Sequence, residues 1–256
     1  MRSLATTSLK EKWTIYSKLL LQPGFFRQPL LIALLLLLFL AGVSGCQQKT
    51  TKKPKEPSTP NLFENPGFEQ GKKPWFSLTT PGWGPPFEVT STLARSGKKS
   101  AYLKMRSEVS GTQVFGAVQE ISPEKLPEVV SGYYRIENWQ KGIPLQYFQF
   151  VVIAKKTDLP GGHANHQIRY ILGGIKDKPF ELENAKFVFV GPETPELKKW
   201  VRFERNLAED FKAQWGAIPK KFSSIRVFLE ARYEQKTPEQ PEAIADVYFD
   251  DLYIGP

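Results

Sequence analysis

The clearest evidence for the fold class is the segment Ser224-Ile225-Arg226-Val227-Phe228-Leu229-Glu230-Ala231-Arg232-Tyr233-Glu234. Apolar side chains occupy every odd-numbered position from 225 to 233, and charged side chains fill all but one of the positions between them. Because successive side chains of a strand point to opposite faces, this alternation predicts a β-strand with one buried side. Phe228 is the exception, since it is an aromatic side chain on the charged side of the strand.

Similar segments recur from Glu88 to the end of the chain, separated by clusters of glycine, proline and asparagine. The segment 145–154 is apolar on both faces, which predicts a strand at the centre of a sheet. One short helix is predicted over 208–215. Nine or ten strands without helices between them indicate an all-β fold, an antiparallel sandwich or jelly roll rather than a βαβ sheet. The other predicted strands are 101–106, 114–121, 129–137, 145–155, 167–173, 186–190, 200–206 and 247–254.

The positive charge is unevenly distributed along the chain. The formal net charge is +9, and residues 1–60 hold nine basic residues against two acidic ones. The rest of the chain is therefore nearly neutral. A nucleic-acid-binding protein needs a basic patch on its folded domain, so the composition argues against a nucleic-acid partner.

The N-terminal region has the pattern of an export signal. Residues 30–43 are uncharged and apolar, five basic residues precede them, and Ser44-Gly45-Cys46 follows. As a helix this run would span about 21 Å, which is short of a ~30 Å bilayer core. The residues Val43-Ser44-Gly45-Cys46 resemble the bacterial lipobox, whose cysteine is lipidated after cleavage. The alternative is an uncleaved N-terminal membrane anchor.

These features divide the chain into three parts: a lipoprotein signal peptide over 1–45, a lipidated Cys46 with a Lys/Pro-rich linker over 46–60, and a β-sandwich domain over 61–256. The linker cannot bury apolar surface, and its prolines favour an extended conformation. Cys46 is the only cysteine, so the domain must fold without a disulfide. We therefore expect an exported lipoprotein, anchored to a membrane in the cell envelope by its lipid.

The ordered motifs of the domain resemble carbohydrate-binding modules with the galactose-binding jelly-roll fold. The opening segment Asn61-Leu62-Phe63-Glu64-Asn65-Pro66-Gly67-Phe68-Glu69, with Gly71 and Trp75, is similar to the start of such modules. The later blocks are 94–103, 118–121, 130–136, 200–203 and the closing Val247-Tyr248-Phe249-Asp250-Asp251-Leu252-Tyr253-Ile254. The resemblance covers nearly all of 61–256.

This resemblance implies a structural calcium ion. In the family, a buried Asp of the last strand often binds Ca²⁺, and Asp250 or Asp251 corresponds to it. A Glu matching Glu69 and backbone carbonyls near the 96–99 turn complete the expected ligands, which are the hard oxygen atoms that Ca²⁺ prefers. The alternative is that Asp250 or Asp251 caps a backbone turn or pairs with an arginine, without a metal.

Sugar binding in such modules uses exposed aromatic side chains. Trp83, in a Gly-Trp-Gly turn, and Trp139, after Glu137-Asn138, lie in loop-like contexts and are the candidate ligand-binding residues. Four other aromatic residues match family positions that are typical of packing: Trp75, Tyr133, Tyr134 and Trp200.

No catalytic residue is identified. His163 and His166 lie in or beside a Gly-rich loop, where a polar loop is favoured over a metal site because the His-Glu-x-x-His pattern is absent. No nucleophile elbow, P-loop or dinucleotide motif occurs. The sequence therefore predicts a tethered, non-catalytic glycan-binding lipoprotein. The alternatives are a structural or adhesion lipoprotein that binds an envelope protein, and a hydrolase of envelope polysaccharide.

Overall fold

The computed structural model describes residues 59–256, which contain ten strands and one helix. The signal peptide, Cys46 and most of the linker lie outside the described residues. The elements in chain order are β1 Glu88–Thr90, β2 Ser100–Arg106, β3 Gly111–Ile121, β4 Val129–Gln140, β5 Gln146–Lys155, β6 Asn165–Gly173, β7 Ala185–Phe189, β8 Trp200–Asn206, α1 Leu207–Trp215, β9 Ser224–Lys236 and β10 Ile244–Gly255.

The strands form two five-stranded sheets. The β10 sheet has the order β1-β2-β10-β4-β8, and the β5 sheet has the order β3-β9-β5-β6-β7. The predicted β-sandwich is therefore confirmed, and so is the central place of the segment 145–154, which forms most of β5. One pair departs from the antiparallel pairing of the other strands, because β6 and β7, at the edge of the β5 sheet, run parallel.

The core lies between the inner faces of the two sheets. Leu229 of β9 and Phe150 of β5 face Val247 and Phe249 of β10, and all four side chains are fully buried. The odd-numbered residues of β9 from Ile225 to Tyr233 belong to this core, as the alternation predicted. The even-numbered residues of β9 therefore lie on the outer face of the β5 sheet.

The helix α1 lies in the connection from β8 to β9. It begins after Asn206, whose side chain accepts a hydrogen bond from the amide of Glu209, and it ends at Gly216 in the left-handed region. Capping of this kind satisfies amide and carbonyl groups that have no partner within the helix. The helix spans Leu207–Trp215, one residue longer than predicted.

The two ends of the described chain lie at one end of the sandwich. The amide of Leu62 donates to the carbonyl of Ile254 at 2.8 Å, beside the end of β10. At the opposite end, the side chain of Gln146 in β5 donates to the carbonyl of Ile244, where β10 begins. The start of β5 and the end of β9 are therefore remote from the point where the chain enters the domain.

Candidate functional site

The outer face of the β5 sheet carries a group of polar side chains that the sequence analysis did not single out. Glu230, Arg232 and Glu234 lie on this face of β9, because their odd-numbered neighbours face the core. Gln149 of β5 is the register partner of Glu230, and Arg169 of β6 approaches from the next strand. We call Gln149, Arg169, Glu230, Arg232 and Glu234 the polar cluster.

Arg232 links the two carboxylates of the cluster. Its Nη1 donates to Glu230 Oε2 at 3.2 Å, and its Nη2 lies 2.5 Å from Glu234 Oε1. The side-chain amide of Gln149 also donates to Glu230. Glu234 accepts two further hydrogen bonds, from Tyr147 Oη at 2.9 Å and from Thr112 Oγ1 at 2.7 Å. Each carboxylate is thus held by several donors.

The cluster is buried although it lies on the outer face of a sheet. Gln149 is fully buried, and Glu230, Glu234 and Arg232 are exposed by only 4%, 6% and 9%. Two arginines and two glutamates give the cluster no net formal charge. Burial lowers the pKa of Arg232, but Glu230, Tyr147 and Glu234 outweigh this effect and hold the pKa above its ordinary value. Arg232 therefore stays charged beside its two carboxylates.

Three atoms of the cluster have no hydrogen-bond partner within the part of the chain that the structure describes. They are Gln149 Oε1, Arg169 Nη1 and Arg232 Nε. Arg169 Nη1 lies 3.8 Å from Glu230 Oε2, which is beyond hydrogen-bond distance. A buried donor or acceptor without a partner costs about 1–3 kcal/mol. Two donors and one acceptor of the cluster therefore lack a partner in the described part of the chain.

Aromatic side chains flank the polar cluster on both sides. On the β3 side, Trp83 lies 6.3 Å from Phe228, measured between ring centroids, and packs on an apolar group with Val118 and Val151. On the β7 side, Phe180 lies 5.2 Å from Phe187. Phe228, the exception to the alternation in β9, is thus part of the outer face beside Trp83.

The two predicted tryptophans lie in different surroundings. Trp83 is half-buried on the outer face of the β5 sheet, at the edge of the candidate site. Trp139 lies within β4, not in a loop, and its ring packs against core residue Phe148 at 5.9 Å and an interplanar angle of 73°. The structure therefore does not bring Trp139 together with Trp83.

Asp250, Asp251 and Glu69 all lie near the turn 95–99. Asp250 is fully buried and accepts hydrogen bonds from the amides of Arg95 and Ser96. Burial and the neighbouring Asp251 raise the pKa of Asp250 to about 7. Asp251 itself pairs with the guanidinium of Arg95 at 2.5 Å. Turn capping and arginine pairing, the alternative to a metal, are therefore both present.

Glu69 approaches the same turn and accepts from the amides of Lys98 and Lys99, both at 2.8 Å. Gly97 has a φ of +61°, which favours glycine, and a Cβ there would lie 2.3 Å from Glu69 Oε1, so a larger residue would have to displace this carboxylate. In residues 59–256, no group of three or more His, Cys, Asp or Glu side chains is placed to hold a metal ion. Glu69 and Asp250 thus approach the same turn without a third side-chain ligand placed for a metal in the described residues, and the calcium ion stays a prediction.

His166 has a local structural role. His166 lies in β6, fully buried, and its Nδ1 is 2.6 Å from Thr157 Oγ1. Its Nε2 lies 3.2 Å from the carbonyl of Pro160. Burial lowers the pKa of His166, and both ring nitrogens have partners within the loop.

Across residues 59–256, no helix is long and apolar enough to cross a membrane.

Sequence reasoning missed the polar cluster because charged residues on one side of a strand ordinarily indicate a solvated face. One signal was available. Gln149 is the one strongly polar residue in the otherwise apolar segment 147–154, where a buried side chain needs a partner.

No protein-family model matches the chain, and no curated protein matches it. Solved structures do. A carbohydrate-binding module, TmCBM61, solved with β-1,4-galactotriose is 15% identical over 77% of this chain and 98% of its own, with a TM-score of 0.41. A structure described for carbohydrate-binding modules of promiscuous specificity is 12% identical over 78% of this chain and 62% of its own, with a TM-score of 0.47.

A family 22 carbohydrate-binding module from Clostridium thermocellum Xyn10B is 16% identical over 78% of this chain and 96% of its own, with a TM-score of 0.41. The β-sandwich fold of this protein is established by its own strand pairing, given above.

Proposed function

We propose that this protein is a membrane-tethered, non-catalytic glycan-binding lipoprotein whose binding surface is the outer face of the β5 sheet. The proposal rests on three buried polar atoms that lack partners and lie on one sheet face between aromatic side chains. These atoms are Gln149 Oε1, Arg169 Nη1 and Arg232 Nε.

The chemistry of the cluster suits a polyhydroxylated ligand. A hydroxyl group both donates and accepts hydrogen bonds, so neighbouring hydroxyls of a sugar can satisfy the arginine donors and the glutamine oxygen together. The two arginines and two glutamates already balance in charge, so a neutral ligand leaves no charge uncompensated. The ring of Trp83 offers an apolar surface beside them. Neutral sugar residues carry hydroxyl groups for the polar atoms and have apolar ring faces that can pack on Trp83.

A binding role is favoured over hydrolysis because of what the two carboxylates contact. A glycosidase needs one carboxyl group to hand a proton to the leaving group and another to attack or activate water across a cleft. Glu230 and Glu234 instead flank a single guanidinium and accept hydrogen bonds from Gln149, Tyr147 and Arg232. Their role in this proposal is to hold Arg232 in place for the ligand.

The tether is proposed from the sequence. Lipidation of Cys46 would hold the protein on the membrane, and the chain enters the domain beside Ile254, at the end remote from Tyr147 and Arg232. The polar cluster would then lie toward the far end of the domain, away from its point of attachment. Cys46→Ser should move the protein from the membrane to the soluble fraction and abolish labelling by radioactive palmitate. Continued membrane retention without labelling would favour the uncleaved anchor.

Calcium is proposed as a structural ion held by Glu69, Asp250 and backbone carbonyls of the turn 95–99. The support is that the fully buried carboxyl of Asp250 has a pKa raised to about 7 and receives only amide donors, while Arg95 pairs with Asp251. A divalent cation would favour the charged form of Asp250.

The binding experiment uses the full chain in detergent micelles, titrated by calorimetry with a panel of soluble glycans. The glycan panel consists of β-1,4-galactotriose, xylan and cellulose oligosaccharides, and soluble fragments of envelope polysaccharide. We expect at least one to bind, and Arg169→Met to weaken that binding about tenfold or more, because it removes charged hydrogen bonds.

Arg226→Met is the matched control, because Arg226 lies on the same sheet face but is paired with Glu120 away from the cluster. It should leave the affinity unchanged. Failure of every glycan to bind would overturn the proposal. Crosslinking in cells that returned one envelope protein would then favour a structural or adhesion role.

A further inference from the structure

The parallel pairing of β6 and β7 forces an unusual connection. Two consecutive antiparallel strands can be joined by a short turn at one end of the sheet. Two consecutive parallel strands instead require the chain to return to the end at which the first strand began. The segment 174–184, which joins β6 to β7, must therefore run the length of the sheet. We call residues 174–184 the strap.

The strap runs on the outer side of the β5 sheet, across the polar cluster. Ile175, at its beginning, is buried against Tyr147 and Ile171, which face outward from β5 and β6. Phe180, in its middle, packs on Phe187 of β7. The strap therefore lies on the same face as the candidate site.

The middle of the strap is attached by few residues. Pro179 is buried and Phe180 is half-buried, whereas the residues on both sides of this pair, 176–178 and 181–183, are exposed. The ion pair of the strap, between Lys178 and Glu181 at 3.5 Å, is also largely exposed and of little energetic value. Between its two ends the strap is held by Pro179 and Phe180.

Phe180 covers both arginines of the polar cluster. The guanidinium carbon of Arg169 lies 5.5 Å from the centroid of the Phe180 ring, and that of Arg232 lies 5.6 Å from it. These are cation–π distances. The atoms Arg169 Nη1 and Arg232 Nε are enclosed and unpaired beneath this cover. A ligand cannot reach them while Phe180 stays in this position.

We propose that the strap is an intramolecular cover of the glycan-binding site, in which Phe180 occupies the place that the ligand takes and must move aside to admit it. This inference rests on the proposed function and adds its regulation. A site that is open in only a fraction of molecules binds more weakly by that fraction. Removing the contacts of Phe180 with the arginines should therefore tighten binding, by roughly five- to tenfold.

The first experiment measures how well the strap protects Arg169 and Arg232 from a reagent, with no ligand present. The full chain in detergent micelles is treated with phenylglyoxal, which modifies accessible guanidinium groups, and the rate at each arginine is followed by peptide mass spectrometry. We expect slow modification of Arg169 and Arg232 in the wild type. Phe180→Ala, and Phe180→Leu if the alanine variant folds poorly, should accelerate both by about tenfold.

Leu182→Ala is the matched control, since Leu182 is an exposed apolar residue of the same strap. It should leave both modification rates unchanged. Equal rates at Arg169 and Arg232 in the wild type and in the Phe180 variants would overturn the inference.

The second experiment repeats the titrations with the glycan panel. If Phe180→Leu binds a glycan more tightly and Leu182→Ala binds it with unchanged affinity, the result supports the proposal that the strap covers the site. Weaker binding by Phe180→Leu would overturn it, because the ring would then be a contact surface for the sugar. If the modification rates rise as expected but no glycan binds to any variant, the cover stands and the proposed function fails.

Discussion

Arg232 donates from Nη1 to Glu230 Oε2 at 3.2 Å, and both residues lie on the same face of strand β9. The pair is almost completely buried on a sheet face that no second sheet of residues 59–256 covers. Burying charges in this way is seldom favourable for stability alone.

We expect Arg232→Met to lower the free energy of unfolding by about 3 kcal/mol, because Glu230 and Glu234 would lose their shared cation while still buried. Urea denaturation of the variant and the wild type measures this change. The double variant with Glu230→Met should lose less than the sum of the two single variants, since the interaction is removed from both sides. Additive losses would show that the pair does not interact appreciably.

The two tryptophans should differ in what they affect. Trp139→Ala should cost roughly 2–4 kcal/mol of stability, because it removes a ring packed on the core. Trp83→Ala should weaken glycan binding while costing less stability, since it lies on the outer face. Urea denaturation and calorimetry separate the two effects. Loss of affinity in a fully folded Trp139→Ala variant would contradict the placement of the site.

Glu120 should make the domain sensitive to acid. Burial raises its pKa, but hydrogen bonds from Lys155, Ser224 and Arg226 outweigh this and lower the pKa from 4.5 to about 2. The stabilisation from ionised Glu120 is therefore complete above pH 4.5 and is lost as the pH falls toward 2.

Glu120→Gln should accordingly flatten the decline of unfolding free energy between pH 5 and pH 2, measured by urea denaturation at each pH. Glu204→Gln removes a carboxylate from a more exposed ion pair and serves as the control. A decline as steep in Glu120→Gln as in the wild type would show that other groups cause it.

The proposed calcium ion should stabilise the domain. Excess Ca²⁺ should raise the Tm over that in EGTA by roughly 5–10 °C, since a ligand that binds only the folded state shifts the unfolding equilibrium. Glu69→Gln should abolish the shift, and Mg²⁺ should not replace Ca²⁺. Equal Tm values in Ca²⁺ and EGTA would show that the domain binds no stabilising calcium ion. The amide donors and Arg95 would then be the only partners of these carboxylates.

The strands and their inner faces could be predicted because side-chain alternation is a local property. The predicted segment 200–206 coincides with β8, and most other strands differ by one to three residues at an end. The larger differences at strand ends arise because a local pattern contains no information about pairing with distant strands. Residues 111–113 are polar or lack a side chain, so nothing in their pattern extended β3 to Gly111, although Gly111 and Gln113 pair with β9.

Trp139 illustrates a different limit. Glu137-Asn138 before it is typical of a loop, but pairing with β10 continues β4 to Gln140. Hydrogen bonds to a strand more than one hundred residues later in the chain override the local preference of these residues. No pattern within the segment itself could report that partner.

Local patterns were enough to show that the chain forms strands with a buried side, that Phe228 and Gln149 break the local pattern, and that the domain must fold without disulfides. The folded structure was needed to show that Gln149 meets Glu230, 81 residues away, and that the connection from β6 to a parallel β7 places Phe180 over Arg169 and Arg232. The physical reason is that alternation specifies which residues share a face of one strand, whereas the order and direction of strands depend on contacts between distant segments.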